Sequence, residues 1–388
     1  MKKTNDNSIF LHKLFKAIAD SIIKLFIPLY IVKQTGNVNL SLYYLTIYSL
    51  FVFVLMVILK KFIQKYGVIA IILHFIPIVA TEAILSFCEI NYLFVTISAL
   101  LMALTQTLYS IPLNLIFSFG DKKVNVAKFQ ISTNVGKLIF TLISGYVLSS
   151  TIKNSFLILS IASTIMYIIC IIPIISSYGV LIEKYNASNK SSGTQLSKNK
   201  LFTIFHISFG CFQTTIDNVV PIFLYVNQLS FKAITTLIAL IELLKIFANY
   251  LAKYLVKIDK RNVSCYISAS MYFLSLVGII FIKNNIVLYI LSCVCSICFP
   301  LTFVPMFKLF CEKIREENCT IYQMTKRDLD IFSLRPVYYG AYFLGIGFYS
   351  YFVFGMISVI TMAVCETKLL RKKTLPSPNL QQTKEINN

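Results

Sequence analysis

Long apolar segments, separated by short polar connections, fill most of the 388-residue chain. A membrane-spanning helix needs about 20 mainly apolar residues. We predict spans at 8–32, 40–59, 68–88, 92–117, 126–148, 156–175, 201–226, 233–251, 263–282, 286–307, 329–347 and 349–365. The pattern therefore predicts an all-α polytopic membrane protein with 12 transmembrane helices.

One long polar interruption, residues 176–200, lies near the middle of the chain and is rich in Ser, Asn, Gly and Lys. Beyond Ile182 it has too little apolar surface to fold against another element, so we predict a flexible linker. The predicted organisation is an N-terminal six-helix half (1–178), a cytoplasmic linker (179–200), a C-terminal six-helix half (201–366) and a cytoplasmic tail (367–388).

The chain is 57% hydrophobic and 13% charged, with a net charge of +20. The positions of the basic residues show what this net charge indicates. With alternate connections on opposite sides, 26 Lys and Arg residues fall on one side, and only Lys33, Lys153, Lys232 and Lys283 fall on the other. Basic residues in short loops gather on the cytoplasmic side. We therefore expect both termini in the cytoplasm, a multi-pass protein of a bacterial plasma membrane, and no nucleic-acid partner.

The two halves repeat one another at a nearly constant offset. Pro28 in the first span corresponds to Pro221 in the seventh, and Pro112 in the fourth corresponds to Pro305 in the tenth, each 193 residues later. Lys137 in the fifth span corresponds to Arg335 in the eleventh. Three matches in the same order indicate an internal duplication, and therefore two pseudo-symmetric halves.

Six plus six spans, cytoplasmic ends and a long central loop resemble the major facilitator superfamily of secondary transporters. The signature of that family, roughly G-x-x-x-D-[RK]-x-G-[RK]-[RK], is matched between spans two and three only by Lys65 and Gly67. The loop after span eight keeps Asp259 and Lys260. The resemblance implies a central cavity lined by spans one, four, seven and ten and flanked by five, eight and eleven.

Charged residues inside the spans are the candidate chemistry, because each costs about 2.5 to 3.5 kcal/mol near the bilayer centre. We identify Asp20, Lys24, Glu82, Lys137, Asp217, Glu242, Lys245 and Arg335. All except Glu82, which we expect to be structural, fall on spans that the resemblance places at the cavity. Gln106 in the fourth span joins these seven as a cavity candidate.

The spacing of these charges predicts partners. Asp20 and Lys24 are four residues apart and Glu242 and Lys245 three apart, so each pair shares a helix face. The proline alignment puts Lys24 opposite Asp217, and we hypothesise that they face one another across the pseudo-twofold axis. Each pair is either a structural clamp or a group that handles substrate or protons. Lys137 and Arg335 are candidates to attract an anionic substrate group.

These observations favour a secondary active transporter of a small solute that works by alternating access and uses a proton or solute gradient. No phosphate-binding loop is present in the sequence. We expect a monomer in the lipid bilayer with a small-molecule substrate and protons as a candidate partner, and with no enzymatic activity, cofactor or metal. The alternative is a polytopic membrane enzyme or lipid-handling (flippase-like) protein, which needs a reactive group at one membrane face.

Overall fold

The computed structural model describes residues 6–119, 126–150, 152, 154–190, 200–317, 320–345 and 347–374, and over these ranges it contains helices and no strand. Helices satisfy their own backbone hydrogen bonds, as the bilayer requires. The α-helices are α1 (Asp6–Ile22), α2 (Ile27–Thr35), α3 (Val38–Ile58), α4 (Lys60–Leu73), α5 (Phe75–Phe87), α6 (Tyr92–Phe119), α7 (Val126–Ser149), α8 (Ser155–Ser176), α9 (Tyr178–Lys190), α10 (Lys200–Thr214), α11 (Val220–Val226), α12 (Phe231–Lys257), α13 (Arg261–Phe281), α14 (Asn285–Glu317), α15 (Thr320–Ser333), α16 (Arg335–Gly340) and α17 (Phe348–Thr374).

Eight helices among the described residues are long and apolar enough to cross a membrane, or nine if α4 and α5, bent by 46°, form one span. Three other predicted spans are helical but interrupted or rich in charge. The first is divided into α1 and α2, and the eleventh into α15 and α16. The eighth, α12, is continuous but carries Glu242 and Lys245. The all-α membrane class is confirmed, while the number twelve stays a prediction.

The first and seventh predicted spans depart from regular α-helix at equivalent positions of the repeat. Lys24–Phe26 form a 3₁₀ turn before α2, and Thr215–Val219 form a π-helix before α11. Pro28 and Pro221 lie in the first turns of the helices that follow. Proline has no N–H to donate to the carbonyl four residues earlier, which belongs to Lys24 in one half and Asp217 in the other. The duplicated prolines therefore place a backbone irregularity at a charged residue in each half.

The first part of the predicted linker is a helix, so the prediction of a flexible segment from Ser176 onward is wrong up to Lys190. Leu181 and Tyr185 of α9 are buried, and the Tyr185 hydroxyl donates a hydrogen bond to the carbonyl of Ile63 in α4. Tyr185 therefore gives the segment beyond Ile182 a packing contact with α4. Residues 191–199 of the linker and the tail beyond residue 374 lie outside the described residues.

Helices of the two halves pack directly against one another. α7 of the first half contacts α12 of the second, and α3 contacts α15 and α16. Gly145 allows a close approach of α7 to α12, because a Cβ atom there would overlap the side chain of Thr235 on α12. The Tyr48 ring on α3 meets the Phe332 ring on α15 edge-on, with centroids 6.4 Å apart. The charged candidates of α1 and α12 therefore lie on helices that both contact α7, which carries Lys137, and the charged candidate of α16 lies on a helix that contacts α3 of the first half.

Candidate functional site

Asp20 is the centre of the charged cluster in the first half. Its Oδ2 lies 2.5 Å from Nζ of Lys16, and its Oδ1 accepts a 2.6 Å hydrogen bond from the Tyr167 hydroxyl. Nζ of Lys24 is 3.9 Å from Oδ1, a distance of ionic attraction without a hydrogen bond. The closest cation to Asp20 is therefore Lys16, and the predicted partner Lys24 comes second.

The break after α1 explains this order. Lys16 and Asp20 share a face of the regular helix, which ends at Ile22. At Ile23 the backbone leaves helical geometry, with φ −138° and ψ −47°, so Lys24 no longer continues the face of Asp20. The spacing of four residues between Lys16 and Asp20 was visible in the sequence.

Two histidines and a tyrosine surround Lys16. Nζ of Lys16 lies 4.3 Å from the centroid of the Tyr109 ring, a cation–π distance. The rings of His12 and His74 lie 5.7 and 4.7 Å from that same ring. Nδ1 of each histidine contacts a backbone carbonyl, that of Cys170 and that of Ile71 respectively. His12 and Tyr167 are further polar members of this site that sequence reasoning did not select.

Lys137 lies on the inward face of α7. Asn134, three residues before it, and Thr141, four residues after it, are buried, whereas Lys137 is only half-buried. It lies within electrostatic range of Lys13 and Lys24. Among the described residues no acidic side chain comes within ion-pair distance of Lys137, so this cation faces other cations.

The second half contains a three-residue ionic cluster. Nζ of Lys245 is 3.2 Å from Oε1 of Glu242, as the spacing predicted, and 3.5 Å from Oδ1 of Asp217. The Asp217 side chain is 35% exposed and that of Glu242 only 3%. Isolated π-turns inside helices are frequent at functional sites, and Asp217 lies in one. Asp217 is therefore the accessible acid of the pair that shares Lys245.

Arg335 begins α16 and joins two helices of the second half. Its Nη2 donates a 2.8 Å hydrogen bond to Oε1 of Gln213, and its guanidinium lies 4.2 Å from the centroid of the Phe332 ring. Tyr48 of α3 lies within electrostatic range of both Arg335 and Asp20. Tyr48 is thus a residue of the first half that lies near both charged clusters.

The other sequence candidates lie apart from these contacts. The hypothesised pair of Lys24 with Asp217 is not formed, because within the described chain each has its ion-pair partner in its own half. Glu82 is buried and accepts a 2.7 Å hydrogen bond from Ser163, in keeping with the structural role expected of it. Gln106 is half-buried on α6.

The two family-like loops differ in their contacts. Gly67 lies against the Tyr185 ring of α9, so any side chain there would displace that ring. A hydrogen bond that the Lys65 ammonium donates to the Tyr66 hydroxyl raises the pKa of Lys65, and burial raises the pKa of Tyr185. In the second loop Lys260 precedes α13, and Oδ1 of Asp259, a 90% exposed side chain, lies 3.7 Å from Nε of Arg261.

The model of the Major Facilitator Superfamily matches residues 9–322. The chain belongs to the major facilitator superfamily. It is accordingly a membrane transporter and not an enzyme. No curated protein sequence matches it.

Solved structures of transporters share the fold at low identity. A bacterial homologue of the iron transporter ferroportin, in an outward-facing state with soaked iron, is 11% identical with a TM-score of 0.67 over 96% of this chain and 100% of that one. A POT family transporter in complex with a thioalcohol-conjugated peptide is 15% identical, with a TM-score of 0.63 over 95% and 96% of the two chains. A POT family transporter in complex with 5-aminolevulinic acid is 14% identical, with a TM-score of 0.61 over 95% and 96%.

Proposed function

We propose that this superfamily member is a secondary active transporter that moves a small charged solute by alternating access, driven by a proton or solute gradient. The observation that supports the proposal most is the paired departure of the first and seventh spans from regular α-helix, at Lys24 and Asp217. Irregular stretches of membrane helix are typical of the substrate and ion sites of secondary transporters. Lys24 and Asp217 are partly exposed, at 20% and 35%, although Ile23 and Ile216 just before them are buried.

Accessible charge inside a membrane helix is stable only where it faces water or a partner. Asp20, at 22% exposure, and Asp217 are two acids open enough to exchange protons. Each is paired with a lysine, for which the acid would compete with a negatively charged solute. A site that alternates between internal ion pairs and solute contacts has the two states that alternating access requires.

The experiment begins with a thermal-shift screen of the purified protein at two pH values against sugars, amino acids, organic anions and drug-like cations. A stabilising compound is then assayed for uptake into proteoliposomes with and without an imposed proton gradient, and with a counter-solute inside. We expect accumulation above equilibrium in one of these two conditions. Uptake that only equilibrates in both would contradict secondary active transport.

Orientation in the plasma membrane is part of the proposal, with both termini in the cytoplasm. A cysteine at Glu183, exposed on α9, is expected to react with impermeant reagents only from the cytoplasmic side. The matched variant Asn154→Cys, in the exposed connection before α8, is expected to react only from outside. The opposite pattern would invert the proposed topology.

Lipid handling is the second candidate, supported by an apolar groove between α13 and α17. Ala269, Phe273, Val359 and Ile360 are among its lining residues, with Tyr266 and Thr367 joined by a 2.9 Å hydrogen bond at one end. The described residues that line it carry no charge to hold a lipid headgroup. We therefore place it second, and expect Ala269→Trp, which would fill the groove, to leave solute transport unchanged.

A further inference from the structure

The two halves differ in the balance of charge around their interrupted spans. In the first half Lys13, Lys16, Lys24 and Lys137 lie within electrostatic range of one another around Asp20. In the second half Asp217 and Glu242 are matched by Lys245 and Arg335. Glu82, the other nearby acid of the first half, is buried against Ser163. Among the described residues around these two spans, positive charge is therefore in excess only in the first half.

Asp20 does not neutralise this excess, because both of its oxygens have closer partners than Lys24. Lys16 holds one at 2.5 Å, and the Tyr167 hydroxyl holds the other at 2.6 Å. Lys24 stays 3.9 Å away, beyond hydrogen-bonding distance. An ammonium group strongly favours hydrogen bonds to oxygen, and Lys24 makes none to the acid beside it.

Lys24 and Lys137 are also the cations of this group placed to meet a solute. Lys24 lies at the 3₁₀ turn and is 20% exposed, although Ile23 and Phe26 beside it are fully buried. Lys137 is half-buried on the inward face of α7, which packs against both α1 and α12. Two like charges in electrostatic range repel, and an anion between them would remove that repulsion.

We propose that the transported solute carries an anionic group, a carboxylate or a phosphate, that binds between Lys24 and Lys137. This inference rests on the proposed function, since it names the substrate class of that same site. Lysine binds both groups as a point charge with rotatable donors, so the geometry selects for negative charge and not for one anion. Arg335 is hydrogen-bonded to Gln213 and packed on Phe332. It would then hold helices of the second half together and would not bind the anion.

The test measures the local potential with charged thiol reagents. Tyr48 is replaced by cysteine in a background that also carries Arg335→Gln, because Tyr48 is half-buried and lies within electrostatic range of Asp20 and also of Arg335, whose own charge would otherwise favour the anionic reagent. Cys88, which is only partly buried, and Cys319, which lies outside the described residues, are replaced by serine. Reaction rates with anionic sulfonatoethyl and cationic trimethylammonioethyl methanethiosulfonate are each divided by the rate with a free thiol.

We expect the anionic reagent to be favoured about tenfold, the lower end of what focused charge does to local concentration. Lys24→Met together with Lys137→Met is expected to remove the preference, and the matched Lys253→Met, at an exposed lysine on α12, to leave it unchanged. Equal normalised rates in the parent, or a preference that survives the double substitution, would overturn the proposal.

A second measurement identifies the anion and does not depend on the cysteine variant. Succinate, inorganic phosphate and the neutral succinamide are compared as thermal stabilisers of the parent protein and of the Lys24→Met and Lys253→Met variants. Stabilisation by succinate alone assigns a carboxylate, and by phosphate alone a phosphoryl group, provided that Lys24→Met removes it. Equal stabilisation by succinamide, or none by either anion, would overturn the proposal. A protein that passes both tests but moves no solute in proteoliposomes would contradict the proposed function alone.

Discussion

The two halves share one fold but differ in the side chains that pack inside them. With the repeat offset of 193 residues, His12 and Lys16 correspond to Phe205 and Phe209. The first half fills this place with ionic and polar contacts around Asp20. The second half fills it with packed phenylalanine rings, whose centroids are 5.6 Å apart for the tilted pair Phe209 and Phe299 and 5.4 Å apart for the stacked pair Phe299 and Phe303.

This difference shows which parts of a duplicated structure are constrained. The proline occurs in both halves, and so does the departure from regular helix that precedes it, since proline removes one backbone hydrogen bond at that point. The side chains around the break have diverged, and one break is tightened to a 3₁₀ turn while the other is widened to a π-turn. The consequence is a cation-rich first half and a charge-balanced second half.

The largest expected effect is on the stability of the first half. Lys16→Met removes the closest partner of Asp20, and breaking a buried ion pair costs about 3 to 5 kcal/mol. We expect a clear loss of thermal stability, measured by the melting of the purified protein in detergent. Lys253→Met is the control. Unchanged melting in Lys16→Met would show that Lys24 alone is enough to stabilise the Asp20 carboxylate. The ionic contacts of the first half would then add no more stability than the phenylalanine packing of the second.

In the second half, transport and stability are expected to separate. Asp217→Asn should melt near the parent, because Lys245 keeps Glu242 at 3.2 Å, but should lower uptake of the solute at least tenfold. Glu242→Gln, at a buried position, should instead lower the melting temperature. Both properties are measured on the same preparations. If Asp217→Asn unfolds the protein, Asp217 is a clamp and its role in transport is withdrawn.

Tyr185 tests whether the linker helix belongs structurally to the first half. Tyr185→Phe removes the hydrogen bond to Ile63, worth about 1 kcal/mol. Gly67→Leu, which displaces the whole ring, should have a larger effect. We expect α9 to be cleaved faster in limited proteolysis of both variants, with Glu183→Gln as an exposed control. Unchanged cleavage would mean that α9 is held by other contacts.

The smallest effect is expected at the second family-like loop. Asp259 is 90% exposed and 3.7 Å from Arg261, and an exposed ion pair contributes between about 0 and 1 kcal/mol. Asp259→Asn should therefore change melting by less than the Gly67→Leu substitution in the corresponding loop of the first half. A loss of transport in Asp259→Asn at normal stability would instead give this loop a functional role.

The sequence by itself determined the class and the family of this protein. Each membrane helix satisfies its own backbone hydrogen bonds, so an apolar segment of sufficient length identifies it without knowledge of its neighbours. The resemblance to the superfamily is confirmed by the family model. The contact of Glu242 with Lys245 was also predictable, since residues three apart on a helix meet whatever surrounds them.

Only the tertiary structure decided which charges meet between helices. Asp217 pairs with Lys245 of α12 and not with Lys24, because the packing of the π-turn against its neighbour sets that distance. Lys16 lies closer to Asp20 than Lys24 does because α1 ends at Ile22. Tyr185 holds α9 against α4 through its hydrogen bond to Ile63. Contacts of this kind depend on how separate elements are placed in space, and a one-dimensional pattern of apolar and polar residues does not contain that placement.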